Sequence, residues 1–365
     1  MNLSRIEAKN HNSANRCNAN AENSAEIFPS CKSLIENNIA CGMFYGMEIT
    51  AGNKKNVFIH EAFGSSRPGT PWELDSIVDM ASVTKVAATC SAVMKCVEQG
   101  LIDIQAPLKT YLPDARYAGE ISLTELATHT SGFENGKQYL HLLRDKHVDI
   151  VSAVLAEKPV HPPGNRFCYA CINMILLGFA VEAVTHCRLD EFCHRFIFSP
   201  LGMNNTKFGP PTHSDQRLVK MTDADLGQIS DETARYAGRP IGNAGLFSTA
   251  SDLAKFCRML LCNGQLKDRM FFTSKTVRLF SKKLTAKHLP DRSFGWYLEP
   301  DYRPVNLSDK TFYHSGWTGQ SIFVDPERDL FVIVLSNRRN YPGEPRLIRT
   351  RIVDKLVEYI FKQVS

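Results

Sequence analysis

The chain has 365 residues, of which 43% are apolar and 22% are charged, and its formal net charge at pH 7 is +5. These fractions are ordinary for a globular protein and exclude wholesale disorder, and the length predicts two co-folded parts rather than one small core. The positive charge is mild and scattered, which argues against a nucleic-acid partner.

The N-terminal segment 1–26 is rich in Asn and has no apolar core. It predicts a flexible lead-in, and neither a signal peptide nor a membrane span. The eleven cysteines do not form the spacing pattern of a small disulfide-linked scaffold, so we expect reduced thiols. Together these features predict a cytoplasmic protein that does not bind a membrane.

The first regular element is a predicted antiparallel hairpin. Residues 39–49 and 57–62 are both rich in apolar and β-branched side chains, and the polar turn 51–55 separates them.

A serine and a lysine three residues apart follow, at Ser82 and Lys85. The next stretch, 86–99, contains no Gly or Pro and predicts a buried helix. Residues three apart share a helix face, so Lys85 can hydrogen-bond Ser82. Such a pair suits a serine nucleophile whose proton passes to a lysine kept neutral by desolvation. The alternative is that Ser82 is only a helix N-cap.

Two later segments carry further candidates. Tyr169 lies where the turn 163–173 gives way to an apolar helix, and His314 precedes two apolar strands, 321–326 and 330–337, joined by a turn at 325–329. The alternatives are that Tyr169 is only a core tyrosine and that His314 is only a loop histidine.

Ile348 begins a series of apolar residues at every fourth position, which predicts a C-terminal helix with the arginines of 338–351 on its solvent face.

In this order the motifs resemble those of the serine β-lactamase and penicillin-binding-protein superfamily. Its pattern is S-x-x-K, then Y-x-N, then K-T-G or H-x-G, and the counterparts here are Ser82/Lys85, Tyr169 and His314-Ser315-Gly316. The resemblance runs from about residue 39 to the C-terminus. It is strongest to the branch of class C β-lactamases, D-alanyl-D-alanine carboxypeptidases, D-aminopeptidases and esterases.

The resemblance implies an α/β (α+β) fold, in which helices sandwich an antiparallel sheet beside an all-helical subdomain. We expect residues 27–100 and 241–365 to form the sheet part and 101–240 the helical part, together one catalytic domain with the active site in the groove between them. No cofactor and no metal is implied.

The resemblance also assigns roles to residues. Ser82 would form an acyl-enzyme, with Lys85 or Tyr169 taking its proton, and a Lys85 ammonium would favour a Tyr169 phenolate. The backbone N–H groups of Ser82 and Trp317 would form the oxyanion hole. The segment His314, Ser315 and Gly316 would bind substrate, with His314 supplying a pH-sensitive positive charge for a carboxylate.

One position departs from the pattern, because Cys171 stands where Y-x-N has its asparagine. A thiol is a weaker hydrogen-bonding group than a carboxamide, so Cys171 should weaken substrate positioning and leave the nucleophile intact. Asn173 is a poor stand-in, since it matches a separate asparagine of the resembled family. A zinc or redox site at Cys168 and Cys171, or a metal site at 186–194, is disfavoured by the absence of a matching ligand set.

Three functions remain open. The first is a hydrolase of a small ester or amide, like an esterase, a D-aminopeptidase or a carboxypeptidase. The second is a true β-lactamase or D,D-carboxypeptidase, and the third is a non-catalytic scaffold of the same fold. The expected partner is a small ester, amide or β-lactam, and the sequence does not predict the oligomeric state.

Overall fold

In the computed structural model, the described residues are 29–134, 139, 141–212, 215–221, 224–338 and 344–364. The predicted flexible segment 1–26 lies outside them.

A six-stranded antiparallel sheet forms the centre of the molecule. Its spatial order is β3–β2–β1–β11–β10–β9, and its strands are β1 (Phe44–Gly52), β2 (Val57–Arg67), β3 (Thr70–Pro71), β9 (Phe312–Ser315), β10 (Ser321–Asp325) and β11 (Leu330–Arg338). Both predicted hairpins are confirmed, by the pairs β1–β2 and β10–β11. The predicted start of the first strand at residue 39 is wrong, because helix α1 (Pro29–Ala40) extends to that point.

The sheet is covered on both faces. In β11, Val332 and Val334 pack toward α1 and the C-terminal helix α11 (Pro345–Val364), whereas Phe331 and Ile333 face the other core, which includes α9 (Ala250–Leu261). Alternate residues of a strand point to opposite faces, so a strand covered on both sides is apolar throughout.

The predicted C-terminal helix is confirmed, with Ile352, Leu356 and Ile360 buried. The prediction that its arginines face solvent is wrong for Arg349, whose side chain is 1% exposed. Because Arg349 is one turn before Val353, it lies on the side of α11 that faces the sheet.

The remaining helices surround the sheet and extend beside it. They are α2 (Ser91–Glu98), α3 (Leu123–Ala127), α4 (Ile150–Leu155), α5 (Cys171–Thr185), α6 (Leu189–Cys193), α7 (Ser199–Leu201), α8 (Glu232–Tyr236) and α10 (Ser274–Ser281). Strands β4 (Val78–Asp79), β5 (Lys207–Phe208) and β6 (Leu246–Ser248) form a small second sheet, and β7 (Gln265–Leu266) pairs with β8 (Arg269–Met270). Helices α3 to α8 all fall between residues 101 and 240, the range predicted to be mainly helical.

Among the described helices, none is by itself both long and apolar enough to cross a membrane. The pair Cys171–Thr185 and Leu189–Leu201, bent by 77°, reaches that length and apolarity only when its two helices are taken together.

Candidate active site

Ser82 lies in a tight turn that a buried carboxylate holds in place. The turn is 3₁₀-helical over Ala81–Val83, and Ala81 has a φ of 45°, in the left-handed region that is strained for a residue with a side chain. Ala81 N–H donates to Asp79 Oδ1 over 2.8 Å, and Ser230 donates to Asp79 Oδ2 from its N–H over 2.7 Å and its hydroxyl over 2.6 Å. Asp79 therefore ties the strained turn to a loop about 150 residues away.

Lys85 lies on the next turn, and its amine contacts the serine. The chain continues as a π-helical segment over Lys85–Cys90 and then as α2. The predicted buried helix is therefore confirmed, although its first turns are 3₁₀-helical and π-helical rather than α-helical. Lys85 Nζ donates to Ser82 Oγ over 2.9 Å and to the main-chain oxygen of Asn243 over 2.7 Å. The side chain of Lys85 is fully buried.

Tyr169 completes the group. Lys85 Nζ lies 5.2 Å from the centre of its ring, Tyr169 lines the same cleft as Ser82, and both Lys85 and Ser82 lower the pKa of the phenol. Two segments that are distant in sequence thus bring together an alcohol, an amine and a phenol.

His129 positions the tyrosine, and the sequence interpretation had assigned it no role. Its ring packs on that of Tyr169 at a centroid distance of 4.4 Å and an angle of 31°. His129 Nδ1 accepts hydrogen bonds from Ala170 N–H over 3.2 Å and from Asn173 Nδ2 over 3.0 Å. Asn173 also accepts from Ser131 Oγ over 2.6 Å, so its amide is engaged in this buried network and does not replace the missing asparagine.

The pKa values of Lys85 and Tyr169 are both raised, whereas the sequence predicted a neutral lysine or a phenolate. Burial lowers the pKa of Lys85, but Cys171 and Tyr169 outweigh it, and the pKa lies above its usual value. Burial raises the pKa of Tyr169 to about 12, although the Lys85 charge opposes this. Both pKa shifts favour the protonated forms, an ammonium at Lys85 and a neutral phenol at Tyr169.

His314 lies near the end of β9 and is fully buried. Its Nδ1–H donates to the Ser315 carbonyl over 3.1 Å. Burial, together with the charges of Lys85 and Arg292, lowers its pKa well below the usual value, so the ring is neutral at physiological pH. The expectation that His314 supplies a pH-sensitive positive charge is therefore wrong, because the desolvation penalty is not offset by a carboxylate.

Gly316 brings the end of β9 against the serine turn. A Cβ at this position would lie 2.9 Å from the Met80 carbonyl oxygen and 3.2 Å from Ala81 Cβ, so no larger residue fits without a shift. This approach places Trp317 and Ser82 on the wall of the same cleft. The oxyanion-hole role of the Ser82 and Trp317 N–H groups stays a prediction.

Cys171 is the first residue of α5, two residues after Tyr169, and its side chain is partly exposed. Its charge, when ionised, raises the pKa of Lys85. None of the ten cysteines in the described part of the chain, Cys168 and Cys171 included, forms a disulfide.

The cleft has two lobes of different charge, and Ser82 and Trp317 line both. One lobe, of about 410 Å³, includes Asp231 and Glu232. The other, of about 570 Å³, is lined by Ser315 and Gly316 and also by the four arginines Arg292, Arg338, Arg346 and Arg349. The arginines were not predicted as site residues, because they come from separate segments and form no motif.

A second group of polar side chains, away from this cleft, involves strands β1 and β2 and was considered as a metal site. The ligand atoms of Glu48, His60 and Asp75 lie within 4.8 Å of one another. The Glu48 carboxylate is already bound by His60 Nε2 over 2.7 Å, by the Trp72 indole N–H over 3.0 Å and by Asp75 N–H over 3.1 Å. These three contacts fit a structural ion pair better than a metal centre.

The family model described as β-lactamase matches residues 34–356. A Salmonella typhimurium protein named "Putative D-alanyl-D-alanine carboxypeptidase" is 27% identical over 310 residues, which cover 73% of this chain and 71% of the relative.

Solved structures give the same fold. EstCE1, described as a hydrolase with promiscuous acyltransferase activity, superposes with a TM-score of 0.76 at 19% identity, covering 92% of this chain and 99% of that one. A class C β-lactamase from Rhodobacter sphaeroides superposes with a TM-score of 0.71 at 20% identity, covering 91% and 99%.

Proposed function

We propose that this chain, which belongs to the β-lactamase family, is a serine hydrolase that forms an acyl-enzyme on Ser82 and hydrolyses a small ester or amide. The observation that carries the proposal is the contact of Lys85 Nζ with Ser82 Oγ at 2.9 Å, with the Tyr169 ring 5.2 Å from the same amine and on the wall of the same cleft. A serine hydroxyl in hydrogen-bond contact with an amine, and beside a phenol, has the groups nearby that can take its proton when one of them is deprotonated.

The attack requires the site to lose one proton first. Lys85 and Tyr169 are both protonated at rest, so the reactive form is the minor one in which one of the pair is deprotonated. In that form the Ser82 proton passes to the free base as Oγ bonds to the substrate carbonyl carbon. The leaving group departs with a proton from the same pair, and water then hydrolyses the ester on Ser82.

Stabilisation of the tetrahedral intermediate would come from backbone donors. We assign this role to the N–H groups of Ser82 and Trp317, which flank the cleft, and such a donor is worth about 3 kcal/mol. Ser315 and Gly316 would hold the substrate along the edge of β9, and Cys171 would contact its acyl side.

Cys171 favours esters and simple amides over β-lactams and D-alanyl peptides. A thiol at the position of the Y-x-N asparagine gives a weak hydrogen bond where a carboxamide would bind the substrate carbonyl. The second candidate is a β-lactamase or D,D-carboxypeptidase, which the name of the Salmonella typhimurium relative favours. A non-catalytic scaffold is the third.

The test uses a fluorophosphonate probe and three substrates: p-nitrophenyl acetate, a chromogenic cephalosporin and a D-alanyl-D-alanine peptide. We expect the probe to label the wild type and the exposed control variant Ser274→Ala, but not Ser82→Ala. Turnover of the ester alone supports the proposal, and turnover of the cephalosporin or the peptide supports the second candidate. Labelling that persists in Ser82→Ala would show that another residue is the nucleophile.

A further inference from the structure

Four arginines form one wall of the larger lobe, and we call Arg292, Arg338, Arg346 and Arg349 the arginine wall. They come from three places: the loop before β9, the end of β11 and the first turns of α11. Because Ser82 and Trp317 line the same lobe, a substrate bound at Ser82 can extend to this wall.

Arg349 is buried without a carboxylate partner in the described part of the chain. Its Nε donates to Ser321 Oγ over 3.1 Å, and its Nη1 has no hydrogen-bond partner among the described residues. Burial, with the charges of Arg338 and Arg346, lowers its pKa to about 9. A buried guanidinium with an unused donor is costly unless an anion arrives to satisfy it.

Arg292 is held as a second donor. Its guanidinium lies between the rings of Phe167 and Tyr297, at 4.4 Å and 3.5 Å from their centres. Its Nε lies 3.3 Å from Glu299 Oε2 at an angle that makes no hydrogen bond, and its Nη1 is likewise unused. The side chain is 2% exposed, so its position is fixed by packing before any ligand binds.

The charges of the lobe do not balance. Glu299 pairs with Arg292, and Glu344 lies 3.5 Å from Arg346, whereas Arg338 bonds the Trp317 carbonyl and stacks on its ring. Four arginines against two glutamates leave two positive charges among the lining residues. The neutral ring of His314 adds none.

We propose that the arginine wall binds the anionic end of a substrate that carries two negative charges, a dicarboxylate or a phosphate monoester, with Arg349 and Arg292 as its direct partners. This substrate class rests on the proposed function of the same cleft. Planar guanidinium groups bind carboxylates and phosphates through paired N–H donors, and two such groups match a dianion better than a monoanion.

The experiment measures binding directly by isothermal titration calorimetry on the full chain. The ligands are succinate and phenyl phosphate as dianions, and butyrate as a monoanion of similar size to succinate. We expect at least one dianion to bind about tenfold or more tightly than butyrate. The tighter of the two dianions identifies whether the natural group is a dicarboxylate or a phosphate.

The variants Arg349→Gln and Arg292→Gln remove the two direct partners, and Arg195→Gln, at an exposed arginine that lines neither lobe, is the matched control. We expect either wall variant to lower dianion affinity about tenfold and the control to leave it unchanged. If one of the two wall variants fails to fold by circular dichroism, the other decides, and if both fail, the wild-type comparison of the dianions with butyrate decides. Equal affinity for dianions and butyrate, no binding of either dianion, or unchanged affinity in a folded wall variant overturns the proposal.

The two proposals fail separately. If Ser82 is labelled but dianions do not bind selectively, the hydrolase stands and this substrate class is wrong. If dianions bind selectively but Ser82 is not labelled, the arginine wall stands and the acyl-enzyme proposal is wrong.

Discussion

Replacing Asp79 by Asn tests whether a buried carboxylate maintains the geometry of the nucleophile. Asp79 accepts three hydrogen bonds: one from Ala81, at the strained φ of 45°, and two from Ser230. An asparagine has one oxygen, so its amide nitrogen must face either the Ser230 donors or the Ala81 N–H. Bonds to charged groups contribute about 1.5–3 kcal/mol each, and recovery of the charge-burial cost offsets part of the loss.

We therefore expect Asp79→Asn to lower the free energy of unfolding by about 2–4 kcal/mol. Release of the Ala81 strain would also shift Ser82, and a misplacement of about 1 Å costs about a hundredfold in rate. Urea denaturation and hydrolysis of p-nitrophenyl acetate measure the two effects. The control is Asp268→Asn, at an exposed position with a φ of 58° that asparagine tolerates. A variant within about 0.5 kcal/mol of wild type, with full activity, would refute the reasoning.

Cys171→Asn restores a carboxamide at the position of the Y-x-N asparagine, and we expect it to raise kcat/KM for the chromogenic cephalosporin about tenfold relative to p-nitrophenyl acetate. An unchanged ratio in steady-state assays would contradict the role given to Cys171. Away from the site, burial lowers the pKa of His60, but the bond to Glu48 outweighs it and the pKa is raised. The folded state therefore holds this proton more tightly than the unfolded state. The stabilisation from protonated His60 is fully present below the ordinary pKa of about 6.5 and is lost as pH rises through the raised pKa. Urea denaturation at several pH values should show that the free energy of unfolding falls less steeply with rising pH in His60→Gln than in the wild type. An identical pH dependence in the two proteins would contradict this role of His60.

The sequence predicted the contacts that depend on local periodicity. Ser82 and Lys85 meet because three residues make about one helical turn, and β10 and β11 pair because a short polar turn joins two apolar runs. The order of the three motifs was enough to place Tyr169 in the same cleft by resemblance.

The contacts that the sequence did not predict are long-range and leave no pattern. Asn243 holds Lys85 through its main-chain oxygen, which every residue possesses, so its side chain gives no signal. The burial of Arg349 was not predicted, because the buried face of a helix is inferred from the spacing of its apolar residues. An arginine in such a helix is therefore expected to face solvent. The neutral state of His314 follows from desolvation, which depends on the tertiary packing around it.

Trp317 gives the cleft an intrinsic optical reporter. Of the three tryptophans in the chain, Trp72 and Trp296 are at most 4% exposed, whereas Trp317 is 56% exposed and borders Ser82. A small collisional quencher such as acrylamide should therefore dim mainly the emission of Trp317. A molecule that fills either lobe would shield this indole, so fluorescence can follow occupancy of the cleft without any label or turnover.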